Sequence, residues 1–480
     1  MQDDEYKRAK EAFVADLSGT TGREVFAIFA VMPGTQWLYS ELLLLLEVAG
    51  LRTVGAGHFA VPVTLLLEFV VLTLPTMIVF TYAEYTLPIL ATVYFSAAVL
   101  NRLSWKHARE YVHKYCRKEK MNQVLDKELP FLTSFRAQLM ISTCFAILAV
   151  DFPIFPRRFA KTETYGFSVM DVGVGAFILS SGIVSSYARN ARPSTTQQRS
   201  RGGGQHKSLL GRVYAFFRPI LPVLVLGVAR FLTVKGVNYQ EHVSEYGVHW
   251  NFYFTLAGVY LLFSVFELFG SWATSPVLAG FLSVGYQVYL SQYGGEDFIL
   301  NAPRDTIFSQ NREGILSLIG YTALYISSVY AGQVVFSRMD SNGGKTLRNF
   351  RWLVIWFGLA VVLLTLGTFV VTRLVARPSR RMMNLSYILW VLAESAFLLF
   401  AYCGIYAVSL LPRTPLLFQG VSRNQLFIFL ISNIATGIVN LSMQTIYASN
   451  LTAAGVLVTY MLAVSTVATL LETYNVRIKL

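Results

Sequence analysis

The chain has 480 residues, of which 54% are hydrophobic and only 14% are charged, and its mean hydropathy is +0.50. A soluble fold of this composition would need an unusually apolar surface, so we exclude a soluble globular protein. The formal net charge of +13 does not indicate nucleic-acid binding, because the lysines and arginines lie in short loops between apolar runs rather than on one basic face.

Apolar runs long enough to cross about 30 Å of hydrocarbon recur along the whole chain. They predict an all-α polytopic membrane bundle of about 13 transmembrane helices. The runs leave no room for a soluble domain, so residues 1–480 are expected to form a single transmembrane domain. The predicted spans are 25–49, 59–80, 84–101, 135–150, 166–187, 214–234, 248–270, 272–291, 313–337, 351–374, 384–410, 424–446 and 452–474.

Two basic loops predict how this bundle is oriented. Residues 102–134 contain eight lysines and arginines, and residues 188–213 contain six with no acidic residue, so both should face the cytosol. The second loop is also polar and glycine-rich, which predicts a flexible segment. Counting outward places the N-terminus in the lumen and the C-terminus in the cytosol. The predicted lumenal loops are 151–165, 235–247, 292–312 and 375–383.

The segment DFPIFPRRFAK, residues 151–161, directly follows the fourth span. Its two prolines disfavour helix just before themselves, so the span should end near Phe152 and leave Asp151 at a helix C-terminus. A carboxylate there faces the negative end of the helix dipole and needs a cation. Arg157, Arg158 or Lys161 can supply one, so the segment predicts an ion pair at the membrane boundary.

This pair has two interpretations that spacing alone does not separate. It is either a structural ion pair that holds a tight turn, or a site in which Asp151 is a general base for a hydroxyl and Lys161 stabilises an oxyanion of acyl transfer. Asp171, about two turns into the next span, is open to the same choice between packing and site residue. We count Arg157, Arg158 and Asp171 as candidate substrate-binding residues.

A second polar cluster, residues 239–252, lies at the predicted lumenal entry to a span. Two histidines, two glutamates and an asparagine could bind polar head-group atoms or act as acid and base, and His249 is a less favoured candidate for the base. No further His or Cys stands at a ligand spacing, so we predict no metal site. The alternative is an interfacial belt with aromatic side chains at head-group depth. The candidates for substrate binding are Glu241, His242, Glu245, His249, Trp250 and Asn251.

A third cluster precedes the ninth predicted span. Arg312 offers a planar fork of donors suited to a phosphate, and Glu313 could pair with it or bind a sugar hydroxyl or amine. In the structural alternative, Asn311 is the N-cap of the helix and Glu313 lies in its first turn. We include all three as candidate substrate-binding residues.

Several charged residues fit the predicted topology poorly. Buried charges in spans usually form interhelical pairs and less often contact a substrate. The residues inside spans are Glu68, Arg230, Glu267 and Glu394, and those on the predicted lumenal side are Arg377, Arg380 and Arg381.

At these motifs the sequence resembles the glycosylphosphatidylinositol (GPI) inositol acyltransferase family, known as PIG-W in animals and as the GPI-anchored wall transfer protein in fungi. The resemblance covers nearly the whole chain and fades in the predicted cytoplasmic loops. The matching segments, in family order, are 149–161, 171–175, 182–186, 241–252, 311–314 and 437–442.

The resemblance implies a 13-helix enzyme of the endoplasmic reticulum that moves a long acyl chain, typically palmitoyl, from acyl-CoA to the inositol 2-hydroxyl of glucosaminyl-phosphatidylinositol. It implies no cofactor beyond acyl-CoA as co-substrate. It also implies that Asp151 and Lys161 are the catalytic pair, because the motif carrying them is unchanged here. A lipid transporter or a non-catalytic membrane subunit is the competing class, although no paired broken helices are evident.

Overall fold

The computed structural model describes residues 2–49, 61–115, 129–189, 217, 220–236, 243–340, 347–409 and 412–478. Within these ranges the regular structure is helical, apart from one isolated antiparallel bridge between Thr20 and Phe167. The all-α prediction is therefore confirmed. Most of the predicted flexible loop 188–213, together with Glu241 and His242, lies outside the described residues.

The helices follow the apolar runs of the sequence. The first part of the chain forms α1 (Gln2–Val14), α2 (Gly22–Val48), α3 (Val61–Glu68), α4 (Leu74–Thr81), α5 (Thr86–Tyr115), α6 (Pro130–Ala149), α7 (Val169–Ile183), α8 (Ser186–Arg189), α9 (Leu221–Gly236), α10 (Val243–Tyr246) and α11 (Phe252–Glu267). The second part forms α12 (Pro276–Gln292), α13 (Gly295–Asn301), α14 (Ile307–Gln310), α15 (Arg312–Asp340), α16 (Leu347–Leu374), α17 (Leu385–Val408), α18 (Leu416–Arg423), α19 (Gln425–Ser442) and α20 (Asn450–Thr473).

Among the described residues, eight helical segments are long and apolar enough to cross a membrane. A π-helical turn, Phe69–Thr73, joins α3 and α4 into one of them. Shorter apolar helices include α7 and α11. A polytopic helical membrane protein is thus confirmed, whereas the count of 13 spans stays a prediction. The eight segments are Val61–Thr81, Ala83–Trp105, Pro130–Ala149, Arg312–Met339, Arg348–Leu374, Leu385–Val408, Gln425–Ser442 and Asn450–Thr473.

Helix α6 lies at the centre of the bundle. In its most apolar stretch 83% of the residues are buried, against 11% for α16, which packs mainly on α17 at the periphery. Helix α6 packs against α7, α17, α18 and α19. Its C-terminus therefore delivers the following residues, including Asp151, into the middle of one end of the bundle.

Of the four charged side chains predicted to lie inside spans, three form hydrogen bonds with other described residues. Glu68 accepts hydrogen bonds from Tyr39 and from the backbone amides that begin α18, which satisfies it at a helix N-terminus. Arg230 donates to Asn433, and Glu267 accepts from the hydroxyl of Tyr187. The carboxylate oxygens of Glu394 have no hydrogen-bond partner among the described residues.

The loops predicted to share one side of the membrane do meet at one end of the bundle. Gly166 donates its amide to the carbonyl of Pro378, and Ser379 donates its hydroxyl to the carbonyl of Thr164. His249 donates its backbone amide to the side chain of Asn311. We call this end, where α6 finishes and α7, α15 and α17 begin, the Asp151 end.

Candidate functional site

The turn after α6 is held by Arg157. Its guanidinium donates to the carbonyl oxygens of Val150, Phe152 and Phe155 at 2.9, 3.0 and 2.8 Å. Burial lowers the pKa of Arg157 to about 10, against the opposing effect of the nearby Asp151 carboxylate. Its donors are therefore engaged by its own loop, and we assign it to shaping the loop.

Asp151 is 6% exposed and is held from two directions. Asn440, near the end of α19, donates its side-chain amide to Oδ2 at 2.8 Å, and the ammonium of Lys10 in α1 lies 3.5 Å from Oδ1. Lys10 also donates to Oδ1 of Asn440 at 2.7 Å. The three side chains form a closed ring in which both carboxylate oxygens face a donor.

Lys161, the second catalytic candidate, is 38% exposed and pairs with Glu245 of α10. Arg380 approaches the same oxygen of Glu245, Oε1, at 3.6 Å. Burial alone would raise the pKa of Glu245, but the charges of Lys161 and Arg380 outweigh it and lower that pKa to about 2. Asp151 and Lys161 therefore have different direct partners in this structure.

Arg380 connects Lys161 and Glu245 to the first turn of α7. Its Nε donates to the carboxylate of Asp171 at 2.9 Å, and the same carboxylate accepts the hydroxyl hydrogen of Thr162 at 2.7 Å. Asp171 is fully buried, and Ser168 caps the helix by accepting its amide. A buried carboxylate with this many donors is fixed in place, so Asp171 braces the loop that carries Lys161.

Arg158 points away from these groups. It is about half exposed and forms a bidentate pair with Glu24, at the start of α2. Of the two arginines in the motif, Arg158 has the more exposed side chain. It remains available to a substrate at modest cost, because exposed ion pairs contribute little.

The described part of the second polar cluster serves mainly to begin α11. Asn251 accepts the amides of Tyr253 and Phe254 as the N-cap and donates to the carbonyl of Gly227. The indole of Trp250 donates to Thr255. The ring of His249 packs edge-on against Phe231, and its Nδ1 has no hydrogen-bond partner among the described residues. Of this cluster, Glu245 and His249 retain polar atoms available for chemistry.

The third cluster is turned inward. Arg312 is 2% exposed and donates to the carbonyl oxygens of Ile299 and Ala302. Glu313 is 1% exposed and lies between Arg304 and Arg381, with the Arg381 contact at 2.9 Å. The side-chain oxygen of Asn311 accepts the backbone amide of His249, and its side-chain amide group donates to the carbonyl of Ile307. These geometries describe a buried polar core beneath the Asp151 end.

Arg380 and Arg381 are two of the three arginines that disagreed with the predicted orientation. Both are at most 9% exposed, and both neutralise buried carboxylates. An arginine paired with a buried carboxylate is not a free cation at the membrane surface. These two arginines therefore do not count against the predicted orientation in the way that exposed loop lysines would.

Sequence reasoning missed Lys10 and Asn440 as partners of Asp151, and Arg380 and Arg381 as partners of the predicted carboxylates. The arginines did leave a signal, because they broke the charge rule. Asn440 lies in a motif already singled out, residues 437–442. Groups of three or more His, Cys, Asp or Glu side chains arranged for a metal are not found in the described ranges.

The GWT1 family model matches residues 6–471 of the chain, which include the side chains of the site described here. GPI-anchored wall transfer protein 1 of Gibberella zeae is similar, with 35% identity over 517 residues and 99% of each chain covered. The protein of the same name from Yarrowia lipolytica is 40% identical over 391 residues, 76% of each chain. The phosphatidylinositol-glycan biosynthesis class W protein of Dictyostelium discoideum is 31% identical over 508 residues, 99% of each chain.

Proposed function

The chain belongs to the GWT1 family, and from this we propose that it is an inositol acyltransferase of GPI-anchor biosynthesis. The proposed reaction moves a fatty acyl chain, which we propose to be palmitoyl, from acyl-CoA to the inositol 2-hydroxyl of glucosaminyl-phosphatidylinositol. The names of the relatives place those proteins in GPI biosynthesis or GPI-anchored wall transfer. The observation that carries the proposal for this chain is the nearly buried Asp151 carboxylate at the centre of the Asp151 end.

The Asp151 carboxylate suits a general base. Its Oδ2 is fixed by Asn440, and among the described residues its Oδ1 makes the longer contact, with Lys10. In the proposed step Oδ1 accepts the proton of the inositol hydroxyl while the hydroxyl oxygen attacks the thioester carbonyl. The new C–O ester bond forms, the C–S bond breaks, and the proton passes from Asp151 to the departing CoA thiolate.

Lys161 supplies the positive charge for this step. Its flexible, partly exposed side chain can turn its ammonium toward the thioester oxygen, where negative charge develops, while Glu245 holds it in the meantime. No acyl-enzyme and no further cofactor are required. Arg158, which is accessible, is suited to a phosphate of either substrate.

Other candidate substrate-binding residues have different roles in this scheme. Glu245 lies beside Lys161, and His249 follows Glu245 by four residues; both can meet polar head-group atoms. Five further candidates position the loops that surround the reacting groups. They are Asp171, Arg157, Asn251, Arg312 and Glu313. Trp250 and Asn311 hold the entry to α11 against α15. Glu241 and His242 lie outside the described residues and keep their proposed binding role.

The proposed location is the endoplasmic reticulum membrane, with the N-terminus lumenal and the C-terminus cytosolic. The meeting of residues from 151–165, 235–247, 292–312 and 375–383 at one end supports a common side for these loops. The polar groups of the Asp151 end would then face lumenal head groups.

The test is transfer of radiolabelled acyl chain by the purified protein, supplied with acyl-CoA and glucosaminyl-phosphatidylinositol in lipid vesicles. Acylated product that requires Asp151 supports the proposal. A lipid transporter would move substrate between leaflets without acylating it, and a non-catalytic subunit would be inactive when purified alone. Either result, with correctly folded protein, would overturn the proposal.

A further inference from the structure

The ring of Lys10, Asp151 and Asn440 joins three parts of the chain that are far apart in sequence. Lys10 lies in α1, Asp151 follows α6, and Asn440 is near the end of α19. Each member contacts both others, at 3.5, 2.7 and 2.8 Å. A closed ring restrains the carboxylate in direction as well as in position.

The N-terminal segment contacts the Asp151 loop and the chain after α19 at three further points. The hydroxyl of Tyr6 accepts the amide of Thr445, and the ring of Phe13 lies 4.0 Å from the guanidinium of Arg157. The amide of Glu163 donates to the carbonyl of Leu17. These contacts hold α1 against the Asp151 end along its length.

Two glycines allow the chain after α1 to lie directly on the loop that follows Lys161. Gly19 has φ +79°, and a Cβ there would overlap the carbonyl oxygen of Phe167. Gly166 has φ +146°, and a Cβ there would overlap the carbonyl oxygen of Ser18. Both conformations strongly favour glycine, so close contact between these segments is built into the sequence.

Electrostatics explain why the ammonium belongs at this place. A carboxylate that is 6% exposed at the C-terminal end of a helix needs a compensating cation. The guanidinium of Arg157 donates to backbone carbonyls, and Lys161 donates to Glu245. The ammonium of Lys10 is the cation in direct ion-pair contact with Asp151 among the described residues.

We propose that Lys10 is a positioning residue of acyl transfer, and that α1 is part of the reaction site. This inference rests on the proposed function. Lys10 and Asn440 together hold the Asp151 carboxylate turned so that Oδ1 meets the substrate hydroxyl. Lys10 contacts the Asp151 carboxylate, and in this proposal it acts on the substrates through that carboxylate.

The variants for the test are Lys10→Met, Lys10→Arg and Arg8→Met. Arg8 is exposed on the same helix, so Arg8→Met removes the same charge without touching the ring. Each purified protein is assayed for kcat, KM and unfolding temperature. We expect Lys10→Met to lower kcat about 10- to 100-fold with KM within about threefold, because hydrogen bonds to charged groups that orient a catalytic group are worth this range.

Lys10→Arg should recover at least a third of the wild-type kcat, and Arg8→Met should match wild type. A kcat of Lys10→Met within twofold of wild type overturns the proposal. So does a loss that follows the fraction of unfolded protein and is not rescued by arginine, because Lys10 would then only fasten the helix.

A second measurement does not depend on acyl transfer. Carbodiimide labelling of Asp151, followed by mass spectrometry, should rise at least threefold in Lys10→Met and stay unchanged in Arg8→Met, because the ammonium no longer covers Oδ1. Unchanged labelling in Lys10→Met overturns the proposal. If the wild-type protein transfers no acyl chain, the proposed function fails, and the labelling still decides whether Lys10 holds Asp151.

Discussion

The ammonium of Lys161 lies 2.5 Å from Oε1 of Glu245, although the two residues are 84 positions apart in the chain. Glu245 also faces Arg380, so one carboxylate serves two cations. The ion pair holds the ammonium of Lys161 against the start of α10. If Lys161 acts at the thioester oxygen as proposed, its ammonium must leave Glu245 and bind the substrate instead.

Replacing the proposed general base should remove most of the activity. We expect Asp151→Asn to lower kcat about 10²- to 10³-fold, because a neutral amide cannot accept the hydroxyl proton. The acyl-transfer assay measures it, with Asp305→Asn as an exposed control that should leave kcat unchanged. Near-normal transfer by a folded Asp151→Asn protein would contradict the mechanism.

The Glu245 carboxylate should make stability depend on pH in the acidic range. Its pKa is lowered from 4.5 to about 2 in the folded protein, so its stabilising contribution is complete above about pH 4.5 and is lost as pH falls toward 2. Glu245→Gln should therefore cost about 1 to 3 kcal/mol at pH 7.

The measurement is the unfolding temperature of wild type and Glu245→Gln across this pH range. Their difference should be constant above pH 5 and shrink below about pH 4.5, while the exposed Glu84→Gln control should show no such trend. A difference that instead grows on acidification would show that the sign of the pKa shift is wrong.

The buried pair of Glu313 and Arg381 should matter for folding more than for binding. Glu313→Gln leaves three arginines, Arg304, Arg312 and Arg381, without their shared carboxylate, which should cost about 3 to 5 kcal/mol of stability. Removing Arg381 as well, with Glu313→Gln/Arg381→Met, should restore part of that loss. Thermal unfolding in detergent checks both variants. An unchanged unfolding temperature with a raised KM would instead support a direct substrate contact.

The glycine contact between the N-terminal segment and the loop after Lys161 should be sensitive to one methyl group. Gly166→Ala places a Cβ against the carbonyl of Ser18 at a positive φ and should cost about 1 to 3 kcal/mol. The matched control is Gly280→Ala in α12, where a Cβ meets nothing within 4 Å and the helix should gain up to about 1 kcal/mol. Unfolding temperatures compare the two, and equal effects would rule out a tight contact.

Local rules predicted the elements of this fold well. The predicted span 135–150 corresponds to α6, which ends at Ala149 just before the two prolines of the motif. The spans predicted at 351–374 and 384–410 correspond to α16 and α17. Each depends on an apolar run and its flanking residues, which are visible in a short window of sequence.

The partners of the charged residues could not be predicted in the same way. Spacing suggested that Asp151 pairs with a cation 6 to 10 residues later, whereas its direct ion pair is with Lys10, and Arg157 instead caps its own loop. Lys161 and Asp171 meet residues 84 and 209 positions away. Such contacts depend on how whole helices pack, which no local pattern encodes.

The pairing of Asp171 with Arg380 also means that one partner is synthesised well before the other. Because 209 positions separate the two residues, a ribosome working at about 5 to 20 residues per second needs roughly 10 to 40 s to deliver the guanidinium after the carboxylate has been made. During that interval the carboxylate of Asp171 in α7 lacks its arginine partner, so α7 has to be held at the translocon, in water or by a chaperone. Chains interrupted before residue 380 should accordingly be recognised as unfinished and degraded.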